Sequence, residues 1–211
     1  VWKWKDQSGS KIINQIKRLG ASPDWGRERF TLDKEMSEAV IYVFISLFNK
    51  GLIYKDKRLI NWDINLQTAL SDLEVEQKEQ EGEFVYIKYF IEKTPKKFLE
   101  VATTRPETIF GDQCLAVNPA DARYKKLIGQ KVLLPLVNKY IPIISDKYVD
   151  MKKGTGVLKI TPAHDFNDYK VGIKHNLEMK IVFDKQGKFN KNVPEKFQGK
   201  DRLLIRKDIV E

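Results

Sequence analysis

Cysteine is almost absent from this 211-residue chain, where Cys114 stands alone. One thiol excludes an internal disulfide framework and a cysteine-based zinc site. Histidine is nearly as scarce, with only His164 and His175, so a His-rich metal cluster is excluded as well. Long apolar runs are missing too. The longest, Ala39 to Phe48, is about half the roughly 20 residues that a membrane-spanning helix requires. Gly154-Thr155-Gly156 lacks the spacing of a P-loop or a dinucleotide fingerprint, and no Gly-x-Ser-x-Gly elbow occurs. Neither an initiator Met nor a signal-peptide core opens the chain, which starts Val-Trp-Lys-Trp-Lys. It therefore reads as a cut from a longer, cytoplasmic polypeptide.

What is present suits a folded domain. The chain is 42% hydrophobic and 11% aromatic, too rich for disorder and ample for a core. Lys and Arg number 38 against 29 Asp and Glu, a net charge of +9. A polyanionic partner is one reading of that excess, and a solvated lysine-rich surface is the other. The basic residues are scattered, in short pairs such as Lys96-Lys97, Lys125-Lys126 and Lys152-Lys153. Charge alone leaves both readings open.

Two amphipathic helices are predicted first. Ile12, Ile13, Ile16 and Leu19 share a face, with Gly20 as terminator. A second helix after Asp33 as N-cap carries Met36, Val40, Val43, Phe44 and Leu47 inward and ends at Gly51. Between them, Pro23-Asp24-Trp25-Gly26 is a turn whose aromatic packs the helices. Period-two alternation then takes over at Val85, Ile87, Tyr89 and Ile91, followed by a turn at Lys93–Lys96 and a strand over Phe98–Thr103. Further strands are predicted at Leu115–Val117, Val132–Leu134, Tyr140–Ile144, Val157–Ile160 and Lys180–Phe183. Helical signal returns at Asp121–Leu127, Phe166–Lys174 and Leu203–Val210. The expected fold is mixed α/β, a barrel-like β domain with peripheral helices, preceded by a short helical segment.

Two stretches can carry chemistry. Thr103-Thr104-Arg105-Pro106-Glu107-Thr108 gathers hydroxyls, a guanidinium and a carboxylate just after a predicted strand. Such a loop can bind a polar ligand or a phosphate, or simply cap backbone groups. In Lys159-Ile160-Thr161-Pro162-Ala163-His164-Asp165-Phe166-Asn167-Asp168, a strand breaks at Pro162 and a helix begins near Asp165. Asp165 and Asp168 then fall at N-cap and N3, where capping alone contributes about 1 kcal/mol. Capping explains Lys159, Thr161 and His164 less well, because these sit at the strand end facing the same turn. A cluster of this kind suits a ligand with an ammonium group and a hydroxyl. A divalent-metal site from His164, Asp165 and Asp168 is the rival reading, which the spacing permits only weakly because these ligands form no recognised set.

At these residues the chain resembles the editing (connective polypeptide 1) domain of the valyl-tRNA synthetases, with a flanking piece of the catalytic domain. The resemblance is carried by Arg18-Leu19-Gly20-Ala21-Ser22 through Asp24-Trp25, by Arg27-Glu28-Arg29-Phe30-Thr31, and by Asn61-Trp62 with Thr68–Glu76. Ala102–Thr108 with Gly111-Asp112, and Lys159–Asp165 with Asn167-Asp168, complete an ordered set over nearly the whole chain. Leucyl-tRNA synthetases share the Thr-Thr-Arg-Pro and Pro-Ala-His-Asp segments. Glu107, Gly111-Asp112, Asn167-Asp168 and Arg27–Phe30 favour the valyl type. The family's adenylate-forming signatures, His-Ile-Gly-His and Lys-Met-Ser-Lys-Ser, do not occur in this chain.

The resemblance implies a helical lead-in over 1–66, like the edge of the catalytic Rossmann domain, and an editing domain over 67–211. It implies hydrolysis of mischarged threonyl-tRNA(Val). An apolar synthetic site cannot strongly reject an isostere that adds only a hydroxyl, and threonine against valine is the known example of that limit. Asp168 is expected to hold the α-ammonium, and Asp165, Lys159 and Thr161 to read the hydroxyl or place water; the two aspartates' roles are exchangeable. Arg105, Thr108, Thr104 and His164 are expected to bind the terminal adenosine or the ester region. His164 is the one side chain of suitable pKa for a general base. No cofactor or metal is expected for editing, since ATP and Mg belong to the absent catalytic domain. The expected partners are the 3′ end of tRNA(Val) and the remainder of the synthetase, with no membrane and a monomeric fragment. A non-catalytic tRNA-binding module and a leucyl-type editing domain are the alternatives.

Overall fold

The computed structural model describes residues 2–210. The chain divides into two compact units, Val1–Lys57 and Arg58–Glu211. The division lies upstream of the expected break after residue 66. A cut there would sever a hairpin whose strands β1 (Asn61–Asp63) and β2 (Thr68–Leu70) pair antiparallel.

The first unit holds helices α1 (Trp2–Arg18) and α2 (Lys34–Asn49) around a short 3-10 turn at Trp25–Arg27. Gly20 and Gly51 end the helices at φ of 78° and 70°, a left-handed conformation that costs glycine little. Asp33 precedes α2 as expected, yet its side chain accepts from the Phe30 amide rather than capping the helix. The predicted inward face of α2 is not buried: Met36 and Leu47 are half-covered, while Val40, Val43 and Phe44 stay exposed. Two helices and a turn offer too little surface to cover such a face. Trp25 packs against Lys17, whose ammonium lies 5.0 Å from the ring centre.

The second unit is built on one six-stranded sheet. Its strands are β3 (Val85–Ile91), β4 (Thr94–Thr103), β5 (Cys114–Val117), β6 (Lys131–Leu134), β7 (Lys139–Ser145) and β8 (Val157–Ile160). The order is β4-β3-β6-β7-β5-β8, antiparallel throughout except for the parallel β5–β7 pair. β8 also lies against β4, so the sheet curls into a nearly closed barrel. The alternation read in β3 holds: Tyr89 and Ile91 are buried, and Tyr86, Lys88 and Phe90 are exposed. The β3–β4 hairpin turns at Glu92-Lys93, and β4 begins at Thr94 rather than Phe98.

Aromatic rings close one end of the core, with Phe110 centred 5.3 Å from Phe189 and 4.9 Å from Phe197. The predicted strand at Lys180–Phe183 is absent as a strand; only Phe183 makes a bridge, to Phe189. Side chains take the backbone groups a ladder would have used. Val182 donates its amide to His164, and the Asn190 amide group donates to the Ile181 and Phe183 carbonyls. The helical signal at Asp121–Leu127 resolves into turns and a 3-10 piece at Lys125–Leu127. Helix α3 (Phe166–Lys174) matches its predicted span, and α4 covers only Arg206–Val210 of the last one. Trp62 donates its indole N–H to the Lys185 carbonyl at 2.9 Å, tying the β1–β2 hairpin to the loop after Phe183. No described helix is long and apolar enough to cross a membrane.

Candidate active site

The two chemistry-bearing stretches meet. β4 ends at Thr103, and the loop that follows enters a buried 3-10 turn at Pro106–Gly111, with Pro106 in its first turn. β8 ends at Ile160, and Pro162, which has no N–H for a ladder, turns the chain toward α3. Asp165 caps α3 by accepting from the amides of Asn167 and Asp168 at 2.8 and 3.1 Å. Helix and strand end are packed closely: a Cβ on Gly172 would lie 2.7 Å from Pro162 Cβ. Between the loop, the strand end and the helix lies a hollow of about 340 Å³, lined by Thr104, Arg105, Thr108, Lys159, Thr161, His164, Asp165 and Asp168 among others. All eight sequence-predicted residues border it. A groove of about 880 Å³ beside Arg58 and Phe166 is larger but lacks a buried charged group in its wall.

The wall is organised by a buried ion pair. Lys159 Nζ lies 2.9 Å from Asp112 Oδ1 and donates to the hydroxyls of Thr108 and Thr161, each at 2.7 Å. Thr161 Oγ1 donates in turn to Asp112 Oδ1 at 2.7 Å, and the Tyr89 hydroxyl donates to Asp112 Oδ2 at 2.7 Å. Burial together with the Asp112 charge pushes the Tyr89 phenol well above its usual range. Lys159 is 7% exposed and Asp112 1%, so each charge depends on the other for compensation.

Asp168 is different. It is buried, and Oδ2 accepts from the Thr161 amide at 2.8 Å. Among the described residues no Lys or Arg forms an ion pair with it, because Lys159 is committed to Asp112. Burial pushes its carboxyl up to about 6, aided by the Asp165 and Asp112 charges and opposed by the Thr161 amide and Lys159. A carboxylate held in this way favours a cationic ligand.

His164 is placed for structure rather than proton transfer. Its Nε2 accepts from the Val182 amide at 3.0 Å, which fixes the neutral ring with its proton on Nδ1. Burial and the charges of Arg105, Lys159 and Arg202 lower it to about 4. The His164 carbonyl accepts from Arg105 Nη1 at 2.6 Å, which ties the guanidinium, itself part of the lining, to the strand-to-helix corner. Below the loop, Glu107 is 2% exposed and meets Arg206 of α4. Arg206 Nη2 donates to Oε1 at 2.9 Å, while Nε lies 2.9 Å from Oε2 without hydrogen-bond alignment. Among the described residues, no three His, Cys, Asp or Glu side chains gather as a metal site.

Sequence reasoning missed Asp112 and Tyr89 as parts of the site. Tyr89 reads as a core residue of an alternating strand; its one signal is a phenol that needs a partner when buried. Asp112 lies 47 residues from Lys159 in sequence, and nothing local announces the pair. Cys114 is fully buried, with its thiol raised by burial and by Asp112, so it is inert.

The family model of class I tRNA synthetases (I, L, M and V) matches residues 1–197. The chain is 54% identical to a valine--tRNA ligase of Geobacter sulfurreducens over 211 residues, covering 100% of this chain and 24% of the relative. It is 53% identical to that of Pelagibacter ubique, again over 100% of this chain and 24% of the relative. It thus spans about a quarter of the length of these curated relatives. A solved Agrobacterium radiobacter LeuRS–tRNA–LeuAMS complex aligns with TM-score 0.41 and 18% identity, over 85% of this chain and 32% of that one. The GlLeuRS-CP1 structure aligns with TM-score 0.32 and 22% identity, over 37% of this chain and 44% of that one. With its residues matched almost from end to end and relatives at over half identity, the chain belongs to the class I tRNA synthetases, among those like the valine--tRNA ligases.

Proposed function

We propose that this chain is the editing part of a valine–tRNA ligase and hydrolyses the ester joining threonine to the 3′-terminal adenosine of tRNA(Val). One observation carries the reading: Asp168 is a buried carboxylate without an ion-pair partner among the described residues, in a polar hollow bordered by hydroxyls. An α-ammonium entering the hollow supplies the missing charge. Asp165, also in the wall, accepts from the substrate hydroxyl or from water. Arg105 and Thr104 lie at the outer loop, where the terminal adenosine and its phosphate approach. Valine would leave the hydroxyl's acceptor desolvated and unpaired, at a cost of about 1–3 kcal/mol.

Hydrolysis consumes one water. Its oxygen attacks the ester carbonyl, the ribose oxygen leaves and takes up a proton, and free threonine and tRNA result. With His164 Nε2 engaged by the Val182 amide, the water is placed by the carboxylates and the neighbouring ribose hydroxyl rather than deprotonated by imidazole. The lead-in helices belong to the edge of the parent's catalytic domain, and the enzyme works in the cytoplasm on tRNA(Val).

The test uses full-length ligase carrying this sequence, with pre-charged threonyl- and valyl-tRNA(Val). Selective loss of the threonyl ester, and its accumulation in Asp168→Ala with valine charging intact, is the expected result. Equal binding of both tRNAs without selective ester loss would favour a tRNA-binding module instead. Selective loss of non-leucyl esters from tRNA(Leu) would favour a leucyl-type domain.

A further inference from the structure

The protons around Lys159 can be counted. Its ammonium has three N–H groups and three acceptors: Thr108 Oγ1, Thr161 Oγ1 and Asp112 Oδ1. The Thr161 hydroxyl proton goes to Asp112 Oδ1, and the Thr108 hydroxyl proton goes to the Arg105 carbonyl at 3.0 Å. Every donor in this part of the wall is thereby spent on the protein itself. Each threonine oxygen has accepted one bond and keeps one lone pair. Asp112 cannot turn away from this arrangement, because its other oxygen holds the Tyr89 hydroxyl.

We infer that Asp112, locked by Tyr89, is a positioning residue that sets the hydroxyl polarity of Thr161, so that Thr161 meets a ligand only as an acceptor, as Thr108 does through its bond to the Arg105 carbonyl. It does so by drawing the Thr161 proton inward and by neutralising Lys159, whose bare charge would otherwise repel a cationic ligand. The pocket so built selects a ligand that donates, an amino acid ester with both an ammonium and a hydroxyl proton. This rests on the editing reading of the same hollow and adds to it the direction of the specificity bond. A group of the same size that can only accept is rejected along with a methyl group.

The test compares threonyl-tRNA(Val) with tRNA(Val) carrying 2-amino-3-fluorobutyrate, which is near-isosteric with threonine and has no hydroxyl proton. Full-length ligase is used as wild type, Asp112→Asn and Tyr89→Phe, and the readout is the ratio of kcat/KM for the two esters. Fluorine's effect on ester reactivity cancels when ratios are compared between enzymes. Wild type is expected to prefer the threonyl ester by about tenfold, the size of one hydrogen bond to a well-placed acceptor. Asp112→Asn leaves the Lys159 charge uncompensated and offers the Thr161 proton only a neutral, weaker acceptor, and it should collapse the preference, chiefly by raising KM for the threonyl ester. Tyr89→Phe should reduce it partly. Equal slowing of both esters with an unchanged ratio in these variants is a structural effect only and overturns the inference. If Asp112→Asn does not fold, an unchanged ratio in Tyr89→Phe overturns it by itself. Wild type that fails to distinguish threonyl- from valyl-tRNA(Val) refutes the editing reading, and the inference falls with it.

Discussion

The Thr161 amide donates to Asp168 Oδ2 at 2.8 Å, and this bond ties the end of β8 to the first turn of α3. It is also the main contact that favours the charged form of a carboxyl which, with burial outweighing this bond, stands raised to about 6. The ionised group therefore weakens the fold. Above pH 6 the native state carries a charge that the unfolded chain, with its ordinary carboxyl, holds at lower cost. Asp168→Asn keeps the amide bond and removes that charge. At pH 7.5 the variant should gain about 1–3 kcal/mol of stability in urea unfolding. The gain should fade as pH falls toward 4, and threonyl-tRNA clearance should be lost at every pH.

His164 gives the opposite slope. Its imidazole is held down at about 4, so between that value and the usual histidine range the unfolded chain binds the extra proton. Its contribution is present above pH 6.5 and is lost as pH falls through 4. Asp168 runs the other way between 4 and 6, so in the wild type the two slopes oppose each other. In Asp168→Asn the histidine slope stands alone, and stability should drop by about 2–3 kcal/mol from pH 6.5 to 4. Urea midpoints measured across that range test this. A flat profile in the variant would contradict it.

The Glu107–Arg206 pair is asymmetric. Glu107 is buried at 2%, whereas the Arg206 side chain is 40% exposed. Removing the arginine leaves a carboxylate in the interior with only Arg105 nearby, its Nε 3.6 Å away. Removing the carboxylate's charge leaves an arginine that water can reach. Arg206→Met should therefore cost more, about 2–4 kcal/mol, than Glu107→Gln at about 1–2 kcal/mol. Thermal or urea unfolding of the two variants decides the order.

Gly172 lets α3 lie flat on Pro162. An alanine Cβ would stand 2.7 and 2.9 Å from the proline ring and 3.1 Å from Met179 Cε. The helix must lift, and Asp165 and Asp168 in its first turn lift with it. Gly172→Ala should lose about 1–3 kcal/mol of stability despite alanine's better helix propensity. Its clearance of threonyl-tRNA should fall more than its Tm alone would suggest.

Much of this was legible from local sequence. The 3.6-residue spacing marks α3, the alternation marks β3, and Pro162 followed by Asp165 marks the strand-to-helix corner. These are effects of neighbours within a few positions. The parts that were not legible are tertiary. Lys180–Phe183 has the composition of a strand, but His164 and asparagine side chains take its backbone groups. The apolar face of α2 promises burial that the first unit does not supply. Asp112 becomes part of the site only because β5 pairs with β8 just beyond it, placing Cys114 opposite Ile160 and the carboxylate beside Lys159. Asp165, Asp168 and the threonine hydroxyls of the site could be named from sequence; Asp112, Tyr89 and the direction of the protons could not.

The indole of Trp62 has an optical consequence. The sequence contains four tryptophans, and Trp2, Trp4 and Trp25 all belong to the first unit. Trp62, bonded to the Lys185 carbonyl, is the only one in the unit that carries the barrel and the hollow. Intrinsic fluorescence of the whole chain therefore reports mainly on the helices. With the other three tryptophans replaced by phenylalanine, the emission of Trp62 becomes a single-site reporter for melting of the unit that carries the barrel.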